Sequence, residues 1–142
     1  MTIKAILEGK GAEVMSIMPS DSVAQAIALL AEKRIGALPV IENGKVLGVF
    51  SERDVVYGIA KEGAALLVRK VSEVMTSPAL TVTPDSPVLA GLSMMTRRRI
   101  RHLPVVDGDN VIGFISSGDL VKYRVDKIES EAAAMRDYIQ SA

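Results

Sequence analysis

Apolar and polar positions along the 142-residue chain follow a helical period, then a strand period, and then repeat that order. Val23, Ile27 and Leu30 recur at the spacing of one helix face, and Val88, Leu92 and Met95 do the same further on. The first of these helices is expected to begin near Ser22. The second is expected at Ser86, with Pro87 at the first helical position, where a missing N–H costs nothing. Each is followed by a short apolar run, residues 37–41 and 102–106, then a turn signal, then a return run, residues 46–50 and 111–115. Asn43-Gly44 is a strong hairpin dipeptide, and Asp107-Gly108-Asp109-Asn110 is a comparable signal. Pro39 and Pro104 lie within the outgoing runs. Proline donates no ladder hydrogen bond, so these positions are expected at a sheet edge or near a strand's start. A second helix is expected from Ser51 and again from Ser116.

The likeness of the two halves is a sequence repeat. Residues 19–56 align with residues 84–121 at a constant offset of 65, without a gap, and 12 of those 38 positions are identical. Pro19/Pro84, Arg34/Arg99, Pro39/Pro104, Gly48/Gly113, Ser51/Ser116 and Asp54/Asp119 are among the identities. Most other positions exchange one apolar residue for another, so the chain is a tandem duplication. Before each copy lies an apolar stretch expected as a strand, residues 14–18 and 79–82, preceded by a short helical segment, residues 3–7 and 71–75. The helical segments match at an offset of 68 rather than 65, so the loop 8–13 is 3 residues longer than its counterpart 76–78. One strand-helix-strand-strand-helix unit is too small to bury its own faces. The expected fold is therefore α/β (α+β): two β-α-β-β-α repeats with pseudo-twofold symmetry, forming one intertwined module. Repeat one spans residues 8–65, repeat two 71–124, and a helical tail 125–142. Within the tail, Val125, Ile128, Ala132, Met135 and Ile139 form a two-heptad apolar stripe, too short for a free-standing coiled coil. Contact with a partner subunit is favoured for it over packing on its own module.

Composition narrows the chemistry. Seventeen basic side chains balance seventeen acidic ones, cysteine is absent, and His102 is the single histidine. This inventory excludes disulfides, cysteine nucleophiles, Cys-rich zinc sites and multi-histidine metal centres. A zero net charge argues against nucleic-acid binding as the chain's purpose. The basic run Arg97-Arg98-Arg99-Ile100-Arg101 does not reverse that: three of its arginines fall at a helix C-terminus, where cations complement the macrodipole, and no aromatics interleave them. The longest charge-free stretches, such as 74–84, have 11 residues, against roughly 20 for a membrane span. A cytoplasmic protein without membrane or nucleic-acid partners is expected.

Together, Ile35-Gly36-Ala37-Leu38-Pro39-Val40 with Gly48-Val49-Phe50-Ser51-Glu52-Arg53-Asp54, and Arg101-His102-Leu103-Pro104-Val105 with Gly113-Phe114-Ile115-Ser116-Ser117-Gly118-Asp119, resemble the cystathionine-β-synthase (CBS) domain pair, or Bateman module. The resemblance covers about residues 3–123 and is nearest to the small stand-alone bacterial CBS-pair proteins. It implies a regulatory role, homodimerisation into a disc, and adenosine-containing ligands in clefts between the repeats: AMP, ADP, ATP or NAD foremost, S-adenosylmethionine less so. In the family's Ser/Thr-x-x-Asp motif, the aspartate accepts hydrogen bonds from ribose hydroxyls and the hydroxyl residue helps hold phosphate. Ser51 with Asp54 and Ser116 with Asp119 match it. The family also places adenine against the region matched by Thr76, Ser77 and Ala79, and by Lys10, Val14 and Met15. Basic phosphate contacts often precede Leu-Pro-Val, at Arg101 and His102 here.

The same residues have a reading of their own. A strand that ends in serine and turns into a helix offers free backbone N–H groups to an anion, and a carboxylate can clasp two vicinal hydroxyls. Equally, Ser-x-x-Asp approximates a capping box that satisfies only the backbone. Arg101 and His102 have Gly36 and Ala37 as counterparts, so the two clefts are chemically unequal. Arg101, with His102 assisting, suits phosphate; the alternative is a solvated arginine and a hydrogen-bonded spacer. Arg53, where the second copy has Gly118, either reaches phosphate or pairs with Glu52 or Asp54. Val14, Met15, Leu80 and Val82 read as core rather than base contacts if their side chains point inward. The leading expectation is a non-enzymatic, dimeric sensor with no required cofactor, metal site or catalytic residue, and with an effector protein as its reader. The rival is a ligand-independent dimerisation or scaffold module. An enzyme using Asp54, Asp119 and His102 is disfavoured, because symmetric carboxylates lack the contrasting environments that a general acid and base need.

Overall fold

A computed structural model describes every residue except Ala12 and Ala142. One residue of the expected 8–13 loop and the last residue of the expected tail therefore lie outside the described residues. The elements run α1 (Ile3–Lys10), α2 (Val23–Lys33), β1 (Ala37–Glu42), β2 (Lys45–Ser51), α3 (Glu52–Glu62), a 3-10 turn (Gly63–Val68), α4 (Val71–Val74), α5 (Val88–Arg98), β3 (His102–Asp107), β4 (Asn110–Ser116) and α6 (Ser117–Ser141).

Each repeat is built on an antiparallel hairpin, β1–β2 or β3–β4. Asn43 and Gly44 both take positive φ, 54° and 79°, as a two-residue turn matched to strand twist requires. Pro39 pairs with Val49, and the Val49 N–H and C=O both turn outward to Thr76. The Pro39 ring nitrogen consequently faces the far edge, where no ladder donor is needed. The stretches 14–18 and 79–82 do not form strands. Each contributes one parallel rung at that far edge, Ile17 on Val40 and Val82 on Val105. The prolines account for this, since an edge without the N–H of Pro39 or Pro104 offers few donors to extend the pairing.

Helix starts are close to expectation, with one displacement. Ser22 caps α2 in a reciprocal box with Gln25. Helix α5 begins only at Val88, because the Ser86 hydroxyl accepts from the Thr83 N–H and closes a turn before the helix. Arg34 and Arg99 end α2 and α5 in the same left-handed conformation, φ 54°. Helix α1 extends through Lys10, so much of the expected loop 8–13 is helical.

The cores are exchanged between the halves. Ile3 and Ile6 of α1 pack with Val82, Val88, Met95, Leu103, Val105, Ile115 and Leu120 of repeat two. Val71 of α4 packs with Ile17, Val23, Leu30, Leu38, Val40 and Phe50 of repeat one. Docking uses the same hydrogen bonds in both places: Ile3 N–H to Ser86 O and Lys4 N–H to Pro84 O, mirrored by Val71 N–H to Asp21 O and Ser72 N–H to Pro19 O. The helix preceding each repeat thus serves the other one. Gly48 and Gly113 let these segments pass over the hairpins. A Cβ on Gly48 would lie 2.6 Å from Thr76 O, and one on Gly113 would lie 2.5 Å from a methyl of Leu7.

Helix α6 runs unbroken from repeat two into the tail. Its stripe does not fold back: Val125, Ile128, Met135 and Ile139 are 44, 50, 60 and 65% exposed.

Candidate functional site

Two cavities of about 430 Å³ each lie between the repeats, within the usual range of small-molecule sites. Gly36, Ala37 and His102 line both. The two clefts therefore meet where β1 and β3 begin, as a pseudo-twofold arrangement dictates.

Cleft one takes Ser51, Arg53 and Glu52 from the β2–α3 junction, Thr76, Pro78, Ala79 and Leu80 from the linker, and Ile100, Arg101 and His102 from repeat two. Asp54 stands just behind this lining. One carboxylate oxygen accepts from the Ser51 N–H at 2.9 Å and the Ser51 hydroxyl at 3.3 Å; the other accepts from the Thr76 hydroxyl at 3.0 Å. Thr76 is itself fixed by a two-bond rung with Val49. Among the described residues neither Arg53 nor Arg101 forms an ion pair, so Arg53 is not spent on Glu52 or Asp54.

Cleft two takes Ser116, Asp119 and Phe114 from repeat two, Arg34 and Ile35 from repeat one, and Lys10, Glu13, Val14 and Met15 from the N-terminal segment. Here the capping box is complete: the Ser116 N–H donates to Asp119 at 2.8 Å, and the Asp119 N–H donates to the Ser116 hydroxyl at 3.1 Å. Capping and cleft geometry coexist, as a half-buried motif with one face to the cavity allows. The Lys10 ammonium donates to the same Asp119 oxygen at 2.7 Å and to Phe114 O at 2.8 Å. Burial alone would raise the Asp119 carboxyl, but the hydrogen bonds from Lys10 and the Ser116 amide outweigh it and hold its pKa below the ordinary value.

His102 stacks on Phe114 with ring centroids 5.4 Å apart. Burial, followed by the charges of Arg101 and Lys10, lowers its pKa, with Asp119 and Glu52 opposing. Neutral imidazole is the favoured form.

The structure thus brings Ser51, Arg53, Thr76, Ala79, Arg101 and His102 around cleft one, and Ser116, Asp119 and His102 around cleft two. Leu80 and Val14 are cleft walls rather than core positions, and Met15 is both, lining cleft two and packing on the core of repeat one, because their segments contribute only a single sheet rung and leave neighbouring side chains free. Val82 is buried as expected. Sequence reading missed the partnership of Lys10 with Asp119 and the place of Glu52 against Gly36, where a Cβ would lie 2.8 Å from the carboxylate. Among the described residues no three metal-binding side chains cluster, and no helix is long and apolar enough to cross a membrane.

Two exchanged half-units with a cleft on each side of their axis define a paired-repeat module. The model of the CBS domain matches residues 11–61 and again 71–126, and the chain belongs to that family. It is 32% identical over 148 residues to the mitochondrial CBS domain-containing protein CBSX3 of Arabidopsis thaliana, covering 98% of this chain and 72% of the relative. The crystal structure of the CBS-domain protein ATU1752 from Agrobacterium tumefaciens superposes with a TM-score of 0.83 at 38% identity, covering 87% of this chain and 99% of that one. CBSX2, solved in complex with AMP, superposes with a TM-score of 0.69 at 28% identity, covering 80% of this chain and 88% of that one. CBS pairs are regulatory rather than catalytic modules.

Proposed function

We propose that this protein is a non-enzymatic, cytoplasmic sensor of adenosine nucleotides, and that it acts as a homodimer read by an effector protein. The observation that carries the reading is cleft one: a Ser51–Asp54 pair at a helix start, with the uncommitted cations Arg53 and Arg101 on the same cavity. The carboxylate suits a ribose diol, and the arginines suit the phosphate of AMP, ADP, ATP or NAD. Thr76, Ala79 and Leu80 offer the base a small, partly apolar wall. AMP bound to CBSX2 supports the same ligand class. The exposed stripe of α6 supports pairing with a second copy, and ligand-dependent reorientation of repeats or subunits would supply the signal.

The test is calorimetry and thermal melting with AMP, ADP, ATP, NAD and S-adenosylmethionine on wild type, Asp54→Ala and Asp119→Ala. A ligand at 100 times its Kd is expected to add ~2.7 kcal/mol of stability. At least one aspartate variant should lose that gain. A melting temperature unmoved by the whole panel overturns the sensor reading in favour of the ligand-independent dimerisation module.

A further inference from the structure

The two clefts are equal in volume and share a repeat motif, yet their carboxylates are held differently. In cleft one, Thr76 supplies two donors: its N–H to Val49 O at 2.9 Å and its hydroxyl to Asp54 at 3.0 Å. Val49 and Asp54 correspond to Phe114 and Asp119 at the repeat offset of 65. In cleft two the Lys10 ammonium makes both equivalent bonds, to Phe114 O and to Asp119. One side-chain cation therefore takes the place of a backbone N–H and a hydroxyl, though it bonds the carboxylate oxygen that also accepts from the serine N–H. It reaches there because α1 is docked on repeat two and continues through Lys10, three residues beyond the expected helix end at residue 7.

The replacement changes what a ligand meets. The Thr76 hydroxyl is neutral and both donates and accepts, so it can share Asp54 with a ligand hydroxyl. An ammonium only donates, and its bond to a carboxylate is charge-assisted. A diol approaching Asp119 finds one oxygen without a protein donor among the described residues, and the other held by Lys10. Clasping through both oxygens competes there with a charge-assisted bond, whereas on Asp54 it competes only with the neutral Thr76 and Ser51 donors. The charge count does not separate the clefts, since Arg53 and Arg101 face Glu52 and Asp54 in one and Lys10 and Arg34 face Glu13 and Asp119 in the other. The difference is that among the described residues Lys10 is paired, with Asp119, whereas Arg53 and Arg101 are not.

We propose that Lys10 determines the inequality of the clefts: it occupies the carboxylate of cleft two as an internal competitor, so a nucleotide fills cleft one first and enters cleft two only in competition with it. This rests on the nucleotide reading above and goes beyond it by assigning an order and a residue. The test is calorimetric titration of AMP into wild type, Lys10→Met, Asp54→Ala and the Lys10→Met/Asp54→Ala double variant, with Lys10→Gln as a second neutral replacement. Wild type is expected to bind one AMP per chain tightly, and Asp54→Ala to lose that site. Lys10→Met and Lys10→Gln should strengthen a second site about tenfold, the equivalent of ~1.4 kcal/mol. The double variant should keep this second site alone. Two equal sites in wild type would overturn the inference while leaving the nucleotide reading intact. Unchanged or weakened second-site binding in both Lys10 variants would do the same, the weakened case making Lys10 a ligand contact. No AMP binding by any folded variant would overturn both.

Discussion

Gly48 and Gly113 are equivalent positions at which the same added methyl group should cost different amounts. At Gly48 a Cβ would come within 2.6 Å of Thr76 O, a backbone atom fixed by the Val49–Thr76 rung, with Met75 Sδ at 2.8 Å. At Gly113 the nearest atoms are the side-chain carbons of Leu7, from 2.5 Å outward. Leucine methyls escape by a rotamer change, but a two-bond backbone rung moves only as a unit. Overpacking costs about 1–3 kcal/mol. Gly48→Ala belongs at ~3 kcal/mol and Gly113→Ala at ~1 kcal/mol. Both gain a similar ~0.4–1 kcal/mol from the stiffer unfolded chain, which cancels in the comparison. With an unfolding entropy of about 2.1 cal/mol/K per residue, 1 kcal/mol shifts the midpoint of a chain this long by roughly 3 °C. Differential scanning calorimetry should show Gly48→Ala melting about 6 °C below Gly113→Ala. Gly48→Ala should also weaken AMP binding in cleft one, because Thr76 carries both the rung and the bond to Asp54. Equal midpoints, or a larger loss at Gly113, would refute the distinction between a rigid and a yielding neighbour.

Arg101→Ala should weaken AMP at least tenfold, by loss of a charge-assisted contact of about 1.5–3 kcal/mol, and leave adenosine binding nearly unchanged; equal losses for both ligands in calorimetry would remove Arg101 from the phosphate. Ile128→Glu with Ile139→Glu should convert a dimer to a monomer in sedimentation equilibrium while leaving the melting profile of the monomeric unit in place, and an unaltered mass would mean that α6 does not pair. Acidification should reduce stability in two windows. His102 has a folded pKa below its ordinary 6.5, so its contribution is present above that value and lost as pH falls through it toward the folded pKa; Asp119, also lowered, does the same below 3.8. His102→Asn should abolish the upper window and spare the lower one in urea melts across pH, and an unchanged upper window would assign it elsewhere.

What the chain discloses before folding depends on whether neighbours in sequence are neighbours in space. The hairpins, the starts of α2, α3 and α6, and the duplicated Ser-x-x-Asp pairs are local: periodicity, Asn43-Gly44 and caps encode them within a few residues. The ungapped offset of 65 also exposes the chemical difference between Gly36-Ala37 and Arg101-His102. The single-rung pairing of Ile17 and Val82 was harder to read, because apolar composition signals a strand while the missing N–H of Pro39 and Pro104, on another segment, limits its length.

Lys10 was illegible for a deeper reason. Alignment at the outer offset of 68 sets Glu8, not Lys10, opposite Thr76, and residue counting across a loop 3 residues longer assigns the region no register at all. Only the exchange of helices, with α1 serving repeat two and α4 serving repeat one, brings the last turn of α1 over Phe114 and Asp119. A repeat predicts symmetry wherever both copies are read from their own segments. The asymmetry enters through the exchanged pieces, and a functional difference between the clefts is therefore to be sought in α1 and the 76–80 linker rather than in the motifs that match.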